Sequence, residues 1–95
     1  LKVNVEPLMI QPMGPDPLGW FKQPIASTAD FKKMKYRSPP GITGEIFKEM
    51  GVAAVAMPGG EIVPAAQRGT IDAAEWIGPA DDLNLGLHTV WKHYY

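Results

Sequence analysis

The sequence has no cysteine. That excludes disulfide stapling, zinc–thiolate sites and a thiol nucleophile. It also lacks any apolar run of about 18 residues, the length a membrane-crossing helix requires. Charge of one sign is scarce: nine Lys and Arg stand against ten Asp and Glu, for a net charge of -1. Such a balance draws neither nucleic acid nor an anionic membrane surface by electrostatics. Motifs of enzyme chemistry are missing as well. There is no G-x-G-x-x-G, no P-loop and no G-x-S-x-G. The two histidines, His88 and His93, have no acidic partner at ligand spacing and read as surface residues near a helix end, not metal ligands. With no nucleophile, acid–base pair or metal set, a small enzyme is the weakest reading.

What is present suits one small α/β domain. The chain has 95 residues, 45% of them hydrophobic and 20% charged, close to the globular average. A chain of this size buries roughly 60–65% of its extended surface on folding, enough for a single core. Ten glycines and ten prolines point to short elements joined by tight turns.

Hydrophobic periodicity gives the order of those elements. Residues 1–10 alternate, with Leu1, Val3 and Val5 against Lys2, Asn4 and Glu6, and predict a strand that Pro7 ends or bends. Residues 11–19, QPMGPDPLG, read as loop. Ser27 to Asp30 has the S-x-x-D form of a capped helical turn, with the Ser27 hydroxyl accepting from backbone N–H near Asp30. A short strand follows over 34–38, stopped by Pro39-Pro40-Gly41. Ile42, Ile46, Phe47 and Met50 share one face of a predicted helix over 42–50, closed by Gly51. The apolar run VAAVAM, 52–57, predicts a strand covered on both faces. Then comes a helix ending at Gly69, in which Pro64 is tolerable only in the first turn. A strand over 71–77, a helix over 79–91 and the start of a strand at HYY complete the chain. Alternating strands and helices imply α/β layering with a largely parallel sheet flanked by helices.

Three residues stand where such a sheet binds ligands, outside the carboxyl ends of its strands. Arg37 lies at the end of the 34–38 strand, and its guanidinium can hold a carboxylate with two parallel hydrogen bonds. As a strand-end residue it is expected to lie outside the core, so that its replacement leaves folding intact. Glu75 and Trp76 end the next strand but one, where a tryptophan can wall a pocket and donate its N–H. Position alone leaves the plainer alternatives open: a surface arginine and a core tryptophan. Gly59-Gly60-Glu61 reads as a turn before a helix, and Arg68 as a partner of a helix dipole.

Taken together, the segments LGWFKQPI, ADFKKMKYRSPPG, GGEIVPAAQRGTIDAAEWIGPADDLNLGL and KHYY resemble the DctP-type solute-binding proteins of TRAP transporters. The likeness is closest to the subgroup linked with 2-oxo acids and with mannitol or chloroaromatic substrates. It covers about Leu18 to Tyr95, and PGGEIVPAAQRGTIDAAEW is its most specific run. The resemblance implies one lobe of a two-domain periplasmic α/β protein that captures small organic acids, does no chemistry, and passes them to a TRAP membrane permease. It implies that Arg37 clamps the substrate carboxylate, that Trp76 is a pocket residue, and that Glu75 takes part in coordinating a sodium or calcium ion. No cofactor in the usual sense is implied. A glutamine that contacts ligand or metal in those relatives falls, by ungapped counting, on Asp16 here.

The family's members are much longer, so residues 1–95 are expected to be a single domain truncated relative to the family, without the other lobe or the bridging helix. The chain opens on Leu1 with no signal peptide, which leaves the cytoplasm open beside the periplasm as its location. A lone lobe exposes its cleft face, so weak acid binding and a homodimer or higher oligomer are expected. The alternative to acid binding is an orphan remnant acting as a structural or oligomerising module with no transport role.

Overall fold

The computed structural model describes residues 3–95. Five strands and four helices alternate: β1 (Trp20–Phe21), α1 (Thr28–Lys32), β2 (Lys35–Ser38), α2 (Ile42–Glu49), β3 (Ala53–Ala56), α3 (Gly59–Gln67), β4 (Ala73–Ala74), α4 (Pro79–Leu85), a 3-10 helix (Leu87–Thr89) and β5 (His93–Tyr94). The sheet order is β3-β2-β4-β1-β5. Its centre is parallel: β2 pairs with β3, setting Arg37 beside Val55, and with β4, setting Arg37 beside Ala74. β1 runs antiparallel between β4 and β5. The fold is therefore the expected α/β class, as a mixed sheet with a parallel core.

Successive strand residues send their side chains to opposite faces, and each face carries its own core. On one, Phe21, Phe31, Met34, Tyr36, Val52 and Ala73 are buried, with Phe47 of α2 packed on them. On the other, Ile62 and Ala65 of α3 pack with Ile71, Ala74, Leu87 and Trp91. The first core is aromatic: Phe31 and Phe47 meet Tyr36 edge-on, with ring centroids 5.1 and 4.9 Å away. The Tyr36 hydroxyl donates to the Leu18 carbonyl at 2.7 Å. Burial, with Glu75 and Asp16 nearby, pushes that phenol up, so it remains a donor. This bond ties the loop before β1 to the centre of the sheet.

Several expectations are corrected. Residues 3–10 form no strand, and Val3 and Val5 are exposed; Leu1 and Lys2 lie outside the described residues. Alternation makes a strand only where a neighbour supplies hydrogen bonds and a face to bury, and no neighbour reaches this segment among the described residues. β3 is not covered on both faces but is an edge strand, largely exposed. The strand expected over 71–77 pairs only around Ala73–Ala74, extended by Asp72 N–H to the Lys35 carbonyl at 2.8 Å and Glu75 N–H to the Arg37 carbonyl at 3.3 Å. The helix expected over 79–91 breaks at Gly86, whose φ of 92° gives a left-handed cap. Pro64 sits inside α3 rather than in its first turn. The hydrogen bond it removes would have ended on Gly60, which is exposed, so water can take its place. Ser27 makes no side-chain cap bond; the Asp30 carboxylate instead accepts from Ala26 N–H at 3.2 Å.

Candidate functional site

The carboxyl ends of β2, β3 and β4 lie side by side, and each supplies a part of one site. β2 delivers Arg37, the turn after β3 delivers the Met57 carbonyl, and the chain leaving β4 delivers Glu75 and Trp76. A cleft of about 420 Å3 opens there, lined by Arg37, Pro40, Ala56, Met57, Pro58, Gly59 and Trp76. The guanidinium carbon stands 5.5 Å from the centre of the Trp76 ring, a cation–π distance. Gly59 opens α3 directly against this ring: a Cβ there would lie 2.4 Å from Trp76 Cη2, so only glycine lets helix and indole approach so closely.

Arg37 is not the surface arginine its strand-end position allowed. It is 3% exposed and tied on three sides. Nε and Nη2 donate to the Met57 carbonyl at 3.1 and 3.0 Å. Nη1 donates to the Glu75 carbonyl at 2.7 Å and to Glu75 Oε1 at 2.5 Å. The expectation that replacing Arg37 leaves folding intact is therefore corrected. Removing one partner of a buried charge pair costs about 3–5 kcal/mol, because the other is left uncompensated.

Glu75 is equally enclosed, at 4% exposed. Burial raises its carboxyl to about 7; Arg37 pulls it down, while Asp16 and Asp82 push it up. Asp82 is itself fully buried and satisfied, accepting from Trp20 Nε1 at 3.0 Å and from the N–H of Ile77 and Gly78 at 3.1 and 3.2 Å. It pins the start of α4 beneath Glu75 and Trp76. An acidic residue in the first turn suits the positive end of a helix, and Asp82 serves there through its side chain.

The three sequence-marked residues, Arg37, Glu75 and Trp76, thus converge. His88 and His93 do not join them; His88 is exposed in the 3-10 helix and His93 lies in β5. Among the described residues no three His, Asp or Glu side chains gather to hold a metal. The sequence did not mark the Met57 carbonyl, and no side-chain pattern announces a backbone acceptor. The nearest signal was the turn P-G-G that follows it.

The family of bacterial extracellular solute-binding proteins, family 7, known as DctP, matches residues 2–95. This chain belongs to that family. The DctP family is one of binding proteins, not of enzymes. A monocarboxylate 2-oxoacid-binding periplasmic protein of Nostoc is 49% identical over 77 residues, which are 81% of this chain and 21% of that protein. A TRAP transporter solute-binding protein of Bordetella bronchiseptica, crystallised as a mixed-occupancy dimer with calcium and picolinate, is 45% identical. Its TM-score is 0.78, covering 84% of this chain and 24% of that one. One from Colwellia psychrerythraea, with calcium and pyruvate bound, is 40% identical with a TM-score of 0.77, covering 86% of this chain and 25% of that one. The chain thus spans about a fifth to a quarter of the length of the relatives it matches.

Proposed function

We propose that this chain forms one wall of a cleft for small organic acids in TRAP-type uptake, in which Arg37 clamps the solute carboxylate and Trp76 flanks it. The observation that carries this reading is a single cleft at the carboxyl ends of three adjacent strands, lined by Arg37 and Trp76, with Glu75 paired to Arg37 behind it. The relatives of Nostoc and Colwellia, which bind a 2-oxoacid and pyruvate, support a 2-oxo acid as the solute. On this reading the chain acts in the periplasm, as one lobe of a solute-binding fold, and hands its acid to a TRAP membrane permease.

Two neighbouring carboxyl groups, Glu75 and Asp16, offer the hard oxygen donors that calcium or sodium prefers. They are fewer than a full coordination shell, so the solute itself would complete it. By ungapped counting Asp16 stands where the subgroup's glutamine is expected, and a carboxylate there would keep an oxygen donor at that position.

A thermal-shift titration with pyruvate, with and without calcium, tests the reading. Solute at 100 times its dissociation constant stabilises the fold by about 2.7 kcal/mol. Arg37→Lys keeps a buried cation but loses the planar fork, so it is expected to fold and to lose most of that shift. An equal shift in wild type and Arg37→Lys overturns Arg37 as the clamp.

A second reading, a self-associating module, is favoured by one observation: Ile42, Ile46 and Met50 of α2 are exposed beside the free edge of β3. A homodimer or larger assembly in light scattering at tens of micromolar supports it, and a monomer removes it.

A further inference from the structure

We propose that Glu75 is an internal ligand of Arg37, the carboxyl group that engages one arm of the guanidinium fork in the empty site and that an incoming carboxylate must displace. The inference rests on the reading of Arg37 as the clamp and concerns how that clamp is regulated.

The geometry of the guanidinium carries it. Arginine has five N–H donors in one plane. Nε and Nη2 share the Met57 carbonyl, which uses the Nη2 hydrogen on the Nε side. The other Nη2 hydrogen faces the Nη1 side and has no partner among the described residues. Nη1 donates only to Glu75, at its carbonyl and at Oε1. A solute carboxylate approaching the end of the fork therefore finds one donor free and the adjacent one engaged. Bidentate pairing, the source of both strength and selectivity in arginine–carboxylate contacts, becomes available only when Nη1 is released.

The partners differ in their freedom to leave. Two are backbone carbonyls, fixed by the turn after β3 and by the strand pairing that joins Glu75 N–H to the Arg37 carbonyl. The third is a side-chain carboxyl that can swing away on its own torsions. In the cation-free site Glu75 therefore acts as a built-in competitor: it satisfies the buried arginine in the empty site and lowers the net affinity for acids. The same device discriminates among solutes. A carboxylate able to occupy both end donors replaces what Glu75 gave, whereas a neutral polar solute does not.

The test is pyruvate binding by the full 95-residue chain, followed by titration calorimetry at pH 8 in the presence of a chelator. Glu75→Gln keeps the shape and an acceptor oxygen but removes the competing charge, and it is expected to bind pyruvate at least tenfold more tightly than wild type. Equal or weaker binding by a folded Glu75→Gln overturns the proposal and makes Glu75 a contact on the solute's own side. A second measurement needs no substitution. In wild type, the 13C signal of the Glu75 carboxyl and the 15N signals of the Arg37 guanidinium are both expected to move as pyruvate saturates the site. Saturation with both signals unchanged overturns the proposal. Loss of binding in Arg37→Lys together with no gain in Glu75→Gln sinks this inference and leaves the clamp standing. Binding unaffected by Arg37→Lys, or no binding by any form, sinks both.

Discussion

Helices α2 and α3 connect consecutive parallel strands, and both carry an apolar stripe, yet they end differently. Ile62 of α3 is fully buried, with Ala65 beside it, against Ala74, Leu87 and Trp91. On α2 only Phe47 reaches the core, while Ile42, Ile46 and Met50 are 81%, 53% and 42% exposed. α4, the 3-10 helix and the following turn fold over α3; nothing among the described residues folds over the outer side of α2. An apolar stripe at helical spacing states which face is fit for burial. It does not state what covers that face. The same holds for β3, whose apolar run suits the interior and whose place at the sheet edge leaves it exposed.

The sharpest break of this comparison is a pair of truncations. Ile62→Ala is expected to cost about 4 kcal/mol, since it removes buried methyl groups and leaves a cavity. Ile46→Ala is expected to change stability by no more than about 0.5 kcal/mol, as for an exposed site. Urea melts of both variants at low protein concentration read this directly. If Ile46→Ala costs nearly as much as Ile62→Ala, the α2 face is covered in solution, and its cover is a second copy of the chain.

A smaller effect separates the binding cleft from the rest of the molecule. The Glu75 carboxyl is raised from 4.5 to about 7, chiefly by burial. A carboxyl raised on folding favours its protonated form in the native state. Its contribution is complete below about pH 4.5 and is lost as pH rises through 7. The full loss amounts to about 3 kcal/mol. Glu75→Gln cannot titrate, so its stability is expected to stay flat relative to wild type across that interval. Unfolding free energies measured at pH 4.5, 6 and 8 for both proteins test the slope. A constant difference between them would show that Glu75 titrates at an ordinary value.

The part of this fold built from local pattern was legible in the sequence. The order of elements from Met34 onward, the C′ glycines and the α/β class all follow from periodicity and turn residues. So did the meeting of Arg37, Glu75 and Trp76, because strand ends in a parallel sheet converge and the resemblance named those positions. What stayed hidden depends on partners distant in sequence. β1 joins the sheet as an antiparallel strand through Ala73–Ala74 and β5, pairings that two residues, Trp20 and Phe21, cannot announce. The burial of Arg37 was hidden for the same reason. It arises from the Met57 carbonyl, 20 residues away, and from Glu75, 38 residues away.

The smallest effect tests how far a local motif carries by itself. The S-x-x-D sequence at Ser27 predicted a hydroxyl cap on α1, but the hydroxyl makes no cap bond there. The Asp30 carboxylate accepts from Ala26 N–H at 3.2 Å, while the Ser27 carbonyl accepts from the N–H of Asp30 and Phe31. Those contacts need only the Ser27 backbone. Ser27→Ala is therefore expected to shift stability by less than about 0.5 kcal/mol, well short of the roughly 1 kcal/mol of a working serine cap. Asp30→Asn loses the charge that favours a helix N-terminus and weakens the bond to Ala26, and is expected to cost about 0.5–1 kcal/mol. The ordering of the two variants in thermal melts decides the matter. If Ser27→Ala proves the more damaging, its hydroxyl caps α1 in solution and the motif operates as its sequence first implied.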